Sequence, residues 1–111
     1  MRKNRDRLCL VAAILEATSN GSTKTSIMYH ANLSFKLLEK YLATANNASL
    51  IYKDGSTYKL TEQGIHFLRE YAHFRNRYFR AQKTLKDLAA EREILEQICQ
   101  QHNAASLSKK T

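Results

Sequence analysis

The stretch Leu50-Ile-Tyr-Lys-Asp-Gly-Ser-Thr-Tyr-Lys-Leu-Thr61 decides the fold. Leu50-Ile51-Tyr52-Lys53 and Thr57-Tyr58-Lys59-Leu60 are short, rich in β-branched and aromatic side chains, and flank Asp54-Gly55. Asp-Gly between such runs suits a turn whose central residues need positive φ, so the stretch reads as a β-hairpin. The chain on either side keeps a helical period instead, so the class depends on what surrounds this hairpin.

Three helices are expected before it. Residues 7–18 form the first, with Asp6 as N-cap, Leu8, Val11, Ala12 and Leu15 as apolar face, and Gly21 as the stop. Residues 23–31 form a short second helix that buries Ile27 and Met28. The turn Ala31-Asn32-Leu33 leads to Ser34, the N-cap of a third helix near 35–46. Its apolar Leu38, Tyr41, Leu42 and Ala45 recur at helical spacing, and Asn46-Asn47 end it. After the hairpin, Thr61 caps a last helix, with Glu62 in its positively polarised first turn. Beyond Gly64 there is no Gly or Pro to stop that helix before about residue 102. At 1.5 Å per residue it would reach roughly 60 Å, more than a core this small can cover.

Helix, helix, helix, hairpin, helix is the winged helix-turn-helix order, with the third helix as recognition helix and the hairpin as wing. The expected class is mainly α with a small β-hairpin: a winged helix-turn-helix followed by a long C-terminal helix that forms an antiparallel two-stranded coiled coil. The expected division is 1–66 for the winged domain with a basic N-terminal arm, 67–103 for the dimerisation helix, and 104–111 for a disordered tail.

The coiled coil is read from steps of four and three along the last helix. They fall on Phe67, Tyr71, Phe74, Tyr78, Ala81, Leu85, Leu88, Arg92, Leu95, Cys99 and His102, and only Arg92 and His102 break the apolar seam. A parallel dimer would set Arg92 against Arg92 and Glu91 beside Glu96 of the second copy, although it would pair Glu70 with Arg75 favourably. Reversing one strand about a centre between Leu85 and Leu88 removes both conflicts. Arg92 then meets Ala81, with room to extend its head to solvent. The competing arrangement is a single amphipathic helix folded back on its own domain.

Of 111 residues, 18 are Lys or Arg and 10 are Asp or Glu, a net charge of +8. Residues 88–111 balance three basic against three acidic side chains, so the excess lies before them. Such a charge favours polyanionic partners, nucleic acid first and an acidic membrane surface second. The longest apolar run, Leu8 to Leu15, is too short to span a membrane, and it continues into Glu16 rather than a cleavage site. Cys9 and Cys99 lack metal spacing, which points to a reduced, intracellular protein. Glu62, His66 and Glu70 share one helical face and Cys99 and His102 another, but neither set has the ligands of a zinc site. No catalytic residue, metal, cofactor or small-molecule substrate is expected.

The expected partner is double-stranded DNA. Outside its core positions the third helix offers Ser34, Lys36, Lys40 and Thr44, with Leu37 at the edge and Glu39 weakening the face. Lys24, at the start of the second helix beside Ser22 and Thr23, and Lys53 in the wing, with Ser56, Thr57 and Lys59, would hold flanking phosphates. Arg2, Lys3 and Arg5 form a mobile basic arm suited to the backbone or the minor groove. The set is short of the Arg, Asn and Gln side chains that make bidentate base contacts, so weak sequence preference is expected. Arg69, Arg75, Arg77, Arg80, Lys83 and Lys86 along the last helix form either a solvated face or a track for a duplex.

Ala13-Ile-Leu-Glu-Ala17, Gly21-Ser22, Lys24-Thr25, Ile27-Met-Tyr-His-Ala-Asn-Leu-Ser34, Tyr41, and Tyr58-Lys-Leu-Thr61 with Gly64 resemble a known family. It comprises the small dimeric winged-helix DNA-binding proteins of Sulfolobus and related archaea, the 10a chromatin-protein family. The resemblance covers about residues 8–68 closely and the long helix in type. It implies an antiparallel coiled-coil dimer, nucleoid association in the cytoplasm, and architectural binding that bends, coats or bridges DNA. It also implies a DNA face at Ser34, Lys36, Lys40 and the wing. A sequence-specific transcriptional regulator on the same scaffold is the alternative, and a coiled-coil adaptor whose winged domain binds protein is a third.

Overall fold

A computed structural model describes residues 5–110, with side chains through Gln101. Arg2 and Lys3 therefore lie outside the described residues, and His102 and the stretch 104–111 lie outside the described side chains. The elements are α1 (Arg7–Ala17), α2 (Lys24–Ala31), α3 (Phe35–Asn47), β1 (Ile51–Asp54), β2 (Thr57–Leu60) and α4 (Glu62–Lys110).

Every helix starts at a side-chain cap, which satisfies a backbone N–H that the helix itself cannot reach. The Asp6 carboxylate accepts from the Cys9 N–H at 2.9 Å, the Thr23 hydroxyl from Ser26 at 3.2 Å, and the Ser34 hydroxyl from Leu37 at 3.2 Å. Thr61 does the same for Gly64 at 2.9 Å. Because Thr23 is a cap, α2 begins one residue later than its pattern suggested. Between α2 and α3, Asn32 takes the left-handed conformation at φ 55°, which Asn tolerates better than most residues.

The core is made by Leu10, Val11, Ile14 and Leu15 of α1, Ile27 and Ala31 of α2, Leu33, Leu38, Leu42 and Ala45 of α3 and its approach, and Leu50 and Ile51. The apolar face expected for α1 is partly wrong. Leu8 is 44% exposed, whereas Leu10 and Ile14 are buried. α1 packs against both α2 and α3, so its buried face is wider than one stripe, and Leu8 sits in the first turn before that packing starts. Met28 is half-buried rather than buried. Thr18 is fully buried, and its hydroxyl donates to the Leu15 carbonyl at 2.8 Å.

The hairpin forms with β1 and β2 antiparallel, Ile51 opposite Leu60 and Asp54 opposite Thr57. Its turn is Gly55-Ser56, not Asp54-Gly55. Asp54 is the last strand residue, and its carbonyl accepts from the Thr57 hydroxyl at 3.0 Å. Gly55 alone takes positive φ, 64°, as in the two-residue turn with Gly at its first central position. A third extended segment joins from outside the hairpin. Ser22 and Tyr58 exchange both backbone bonds, at 3.0 and 2.8 Å, which ties the wing to the α1–α2 loop.

Leu50 precedes the sheet instead of entering it. Ser49 before it is left-handed at φ 61°, the Leu50 N–H donates to Ala45, and its carbonyl accepts from the Thr61 N–H at 3.1 Å. The Thr61 hydroxyl, besides capping α4, donates to the Ser49 carbonyl at 2.6 Å. Gly64 is buried against this junction, and a Cβ there would overlap the Leu50 carbonyl oxygen.

The chain divides into two compact units, Met1–Phe74 and Arg75–Thr111. The first extends beyond residue 66, since Phe67 and Leu68 pack against the core. In the second, all described side chains are exposed, Leu85, Leu88 and Leu95 of the expected seam included.

Gly64→Ala is expected to destabilise the first unit by about 1–3 kcal/mol, the range for forcing an extra methyl into a packed site. Urea unfolding followed by circular dichroism measures it; an unchanged midpoint would mean that α4 shifts away from Leu50 without cost.

Candidate nucleic-acid interface

The outward side of α3 follows from its inward one. With Leu38, Leu42 and Ala45 buried, the opposite line at helical spacing is Lys36, Lys40, Ala43 and Asn47, all exposed. Lys36 and Lys40 thus share a crest as expected. Asn47 joins them because α3 runs one residue further than its pattern indicated. Thr44 stands beside the crest, half-buried, with its hydroxyl donating to the Lys40 carbonyl at 3.2 Å. Ser34 is occupied as an acceptor by its capping bond, which leaves its O–H as the group available to a phosphate.

The lysines differ in how much of their charge is already met. Lys24 forms an ion pair with Glu39 and lies 5.5 Å from the centre of the Phe35 ring. The hydrogen bond to Glu39 holds the Lys24 ammonium above its ordinary pKa; desolvation opposes this, and the charge of Glu39 adds to it. In the wing, Lys59 pairs with Asp54 at 3.0 Å and is raised by that hydrogen bond and then by the Asp54 charge. Lys36, Lys40 and Lys53 have no carboxylate partner among the described residues. Lys40 instead lies 5.3 Å from the Tyr41 ring and Lys53 5.8 Å from the Tyr58 ring.

Arg5 departs from its expected place in a mobile arm. Its guanidinium donates to the Ala31 carbonyl at 3.0 Å and to Asn32 at 3.3 Å. It thus meets the negatively polarised end of α2, which removes it from any arm that starts at Arg2 and Lys3.

Phe35 is a surface residue that charge and periodicity did not single out. It is the first residue of α3 and is 61% exposed. Periodicity pointed the other way: three residues before Leu38, it continues the stripe of Leu38, Leu42 and Ala45, which reads as core. Among the described residues no three His, Cys, Asp or Glu side chains are grouped to hold a metal ion. None of the described helices is long and apolar enough to cross a membrane.

These elements have a counterpart among known sequences. Residues 4–79 match the winged helix-turn-helix family. The chain belongs to that family. In its terms α2 and α3 are the helix-turn-helix, α3 the recognition helix, and β1–β2 the wing. Among solved structures the chain is similar to Sso10a-2, a DNA-binding protein from Sulfolobus solfataricus. The TM-score is 0.60 and the identity 20%, over 76% of this chain and 96% of that one. No curated protein matches the chain.

Ser34 has two separable duties. Ser34→Ala is expected to cost about 0.5–2 kcal/mol of stability through the missing cap, and Ser34→Asp, itself a good cap, to keep it. Thermal unfolding of the two variants checks this; equal losses would show that the cap contributes little.

Proposed function

We propose that this winged helix-turn-helix protein is a non-catalytic, homodimeric binder of double-stranded DNA, architectural in role and weak in sequence preference. The observation that carries the reading is the recognition-helix crest: Lys36 and Lys40 exposed one turn apart, without carboxylate partners among the described residues, on the face opposite the core. Lysines are point charges that suit phosphate oxygens, and phosphate contacts position a protein without reading sequence. Lys53 in the wing adds a second cation of the same kind. Lys24 and Lys59 are weaker contributors, because Glu39 and Asp54 already answer their charge. Similarity to a Sulfolobus DNA-binding protein supports the same reading, and with it membership of the 10a group and nucleoid association.

Dimerisation would come from the seam Tyr71, Phe74, Tyr78, Ala81, Leu85, Leu88, Arg92, Leu95 and Cys99, pairing with a second copy in the antiparallel sense. Leu85 and Leu95 are 66% and 62% exposed, a cost that a second seam would remove. Arg92 lies 3.4 Å from Glu96 of its own helix, so its place on the seam leaves its charge answered. Two winged domains in one molecule provide for bending, coating or bridging DNA. A sequence-specific regulator is the second reading. Asn47 at the end of the crest favours it, because an amide can make a bidentate contact to adenine.

Mobility shifts against several unrelated duplexes, at two salt concentrations, test the function. Affinity should fall steeply with salt and differ little between sequences; one sequence bound ~10³-fold tighter than the rest would favour the regulator. Lys36→Ala combined with Lys40→Ala should weaken binding to all duplexes alike and lower the salt slope by about two for each bound head. An unchanged slope would place the DNA surface elsewhere. Leu88→Lys should yield a monomer on sedimentation, since it sets an unpaired charge in the seam; an intact dimer would reject this register.

A further inference from the structure

Phe35 opens the recognition helix with 61% of its surface exposed, although the core beneath is complete without it. Exposing a phenyl ring to water is unfavourable, and at this place in a helix-turn-helix it has a particular consequence. The N-terminal residues of a recognition helix are those that approach base edges in the major groove. Phe35 shares that first turn with Lys36, the residue after it, but points about 100° away round the helix, toward Lys24 of α2. Its ring is not loose: the Lys24 ammonium lies 5.5 Å from its centre, and Lys24 is itself held by Glu39. A cation over a ring is attractive, so α2 and α3 together hold the ring at the surface.

We infer that Phe35 reads the C5-methyl group of thymine in the major groove. The inference rests on the DNA-binding reading above and adds to it one apolar base contact among phosphate contacts. The chemistry is selective in a simple way. Of the four bases only thymine presents a methyl group in that groove, and Phe is among the side chains that pack on it. Lys36 and Lys40 grip phosphates whatever the sequence. Phe35 supplies a modest bias toward thymine at the step it faces. Glu39 serves the same contact indirectly, since it steers Lys24 toward the ring and away from the backbone.

The experiment compares two duplexes of one sequence, one with thymine and one with deoxyuridine at every thymine position, binding the full-length protein at low salt. The wild-type protein should bind the uracil duplex more weakly, by about fourfold for each methyl group that the ring no longer covers, the factor for one buried methyl-sized group. Phe35→Ala, at an exposed position where the fold is expected to survive, should bind both duplexes equally and at the level of wild type on uracil. Equal wild-type affinity for the two duplexes would overturn the inference while leaving the DNA reading standing. So would a Phe35→Ala protein that binds more weakly but keeps the thymine preference, because the ring would then act only by placing Lys24. Binding of neither duplex by wild type, even in dilute salt, would overturn the DNA reading and this contact with it.

Discussion

Three elements meet at the Leu50 peptide, and the first unit depends on that meeting. The Leu50 N–H closes the end of α3 through Ala45, its side chain is buried in the core, and its carbonyl receives the Thr61 N–H that starts α4. Gly64 lies so close that only a residue without Cβ fits. One backbone carbonyl thereby sets where the recognition helix stops, where the hairpin begins and where the long helix leaves the core. A second tie, the paired bonds between Ser22 and Tyr58, joins the other side of the hairpin to the α1–α2 loop. Between them the wing is held at both flanks, which fixes Lys53 relative to the crest of α3.

The interface is shaped as much by charge cancellation as by charge. The N-terminal half of the chain is basic, yet Glu39 and Asp54 each answer a lysine and Arg5 is drawn onto the end of α2. Among the described residues of α2, α3 and the hairpin, what stays available is narrower than the composition suggests: Lys36 and Lys40 on the recognition helix and Lys53 on the wing. Under the proposed function this narrowing is useful. Cations on one helix face and one hairpin define a docking orientation, whereas an evenly spread charge would attract polyanions without orienting them.

The second unit poses a different physical problem. Its described residues form helix alone, and apolar side chains that ordinarily seek burial, Leu85, Leu88 and Leu95 among them, are all exposed. The i, i+4 pairs Lys83–Asp87 and Arg92–Glu96, each at 3.4 Å, support that helix from within, but such exposed pairs stabilise a helix only slightly. A helix with this much exposed apolar surface has most to gain from association.

Much of the first unit was legible because its signals are local. A cap acts within three residues, an apolar stripe repeats within four, and a hairpin turn spans two, so Asp6, Ser34 and Thr61, the stripe of α3 and the pairing of β1 with β2 could be read from neighbouring letters. The tertiary structure decided whatever depends on residues far apart along the chain. It widened the buried face of α1 to Leu10 and Ile14, because two helices press on it, and it moved the turn to Gly55-Ser56, because Asp54 pairs with Thr57. It docked Arg5 on α2, matched Lys24 with Glu39 and brought Gly64 under Leu50. No local pattern encodes those meetings, since each is set by how separately formed elements share one small core.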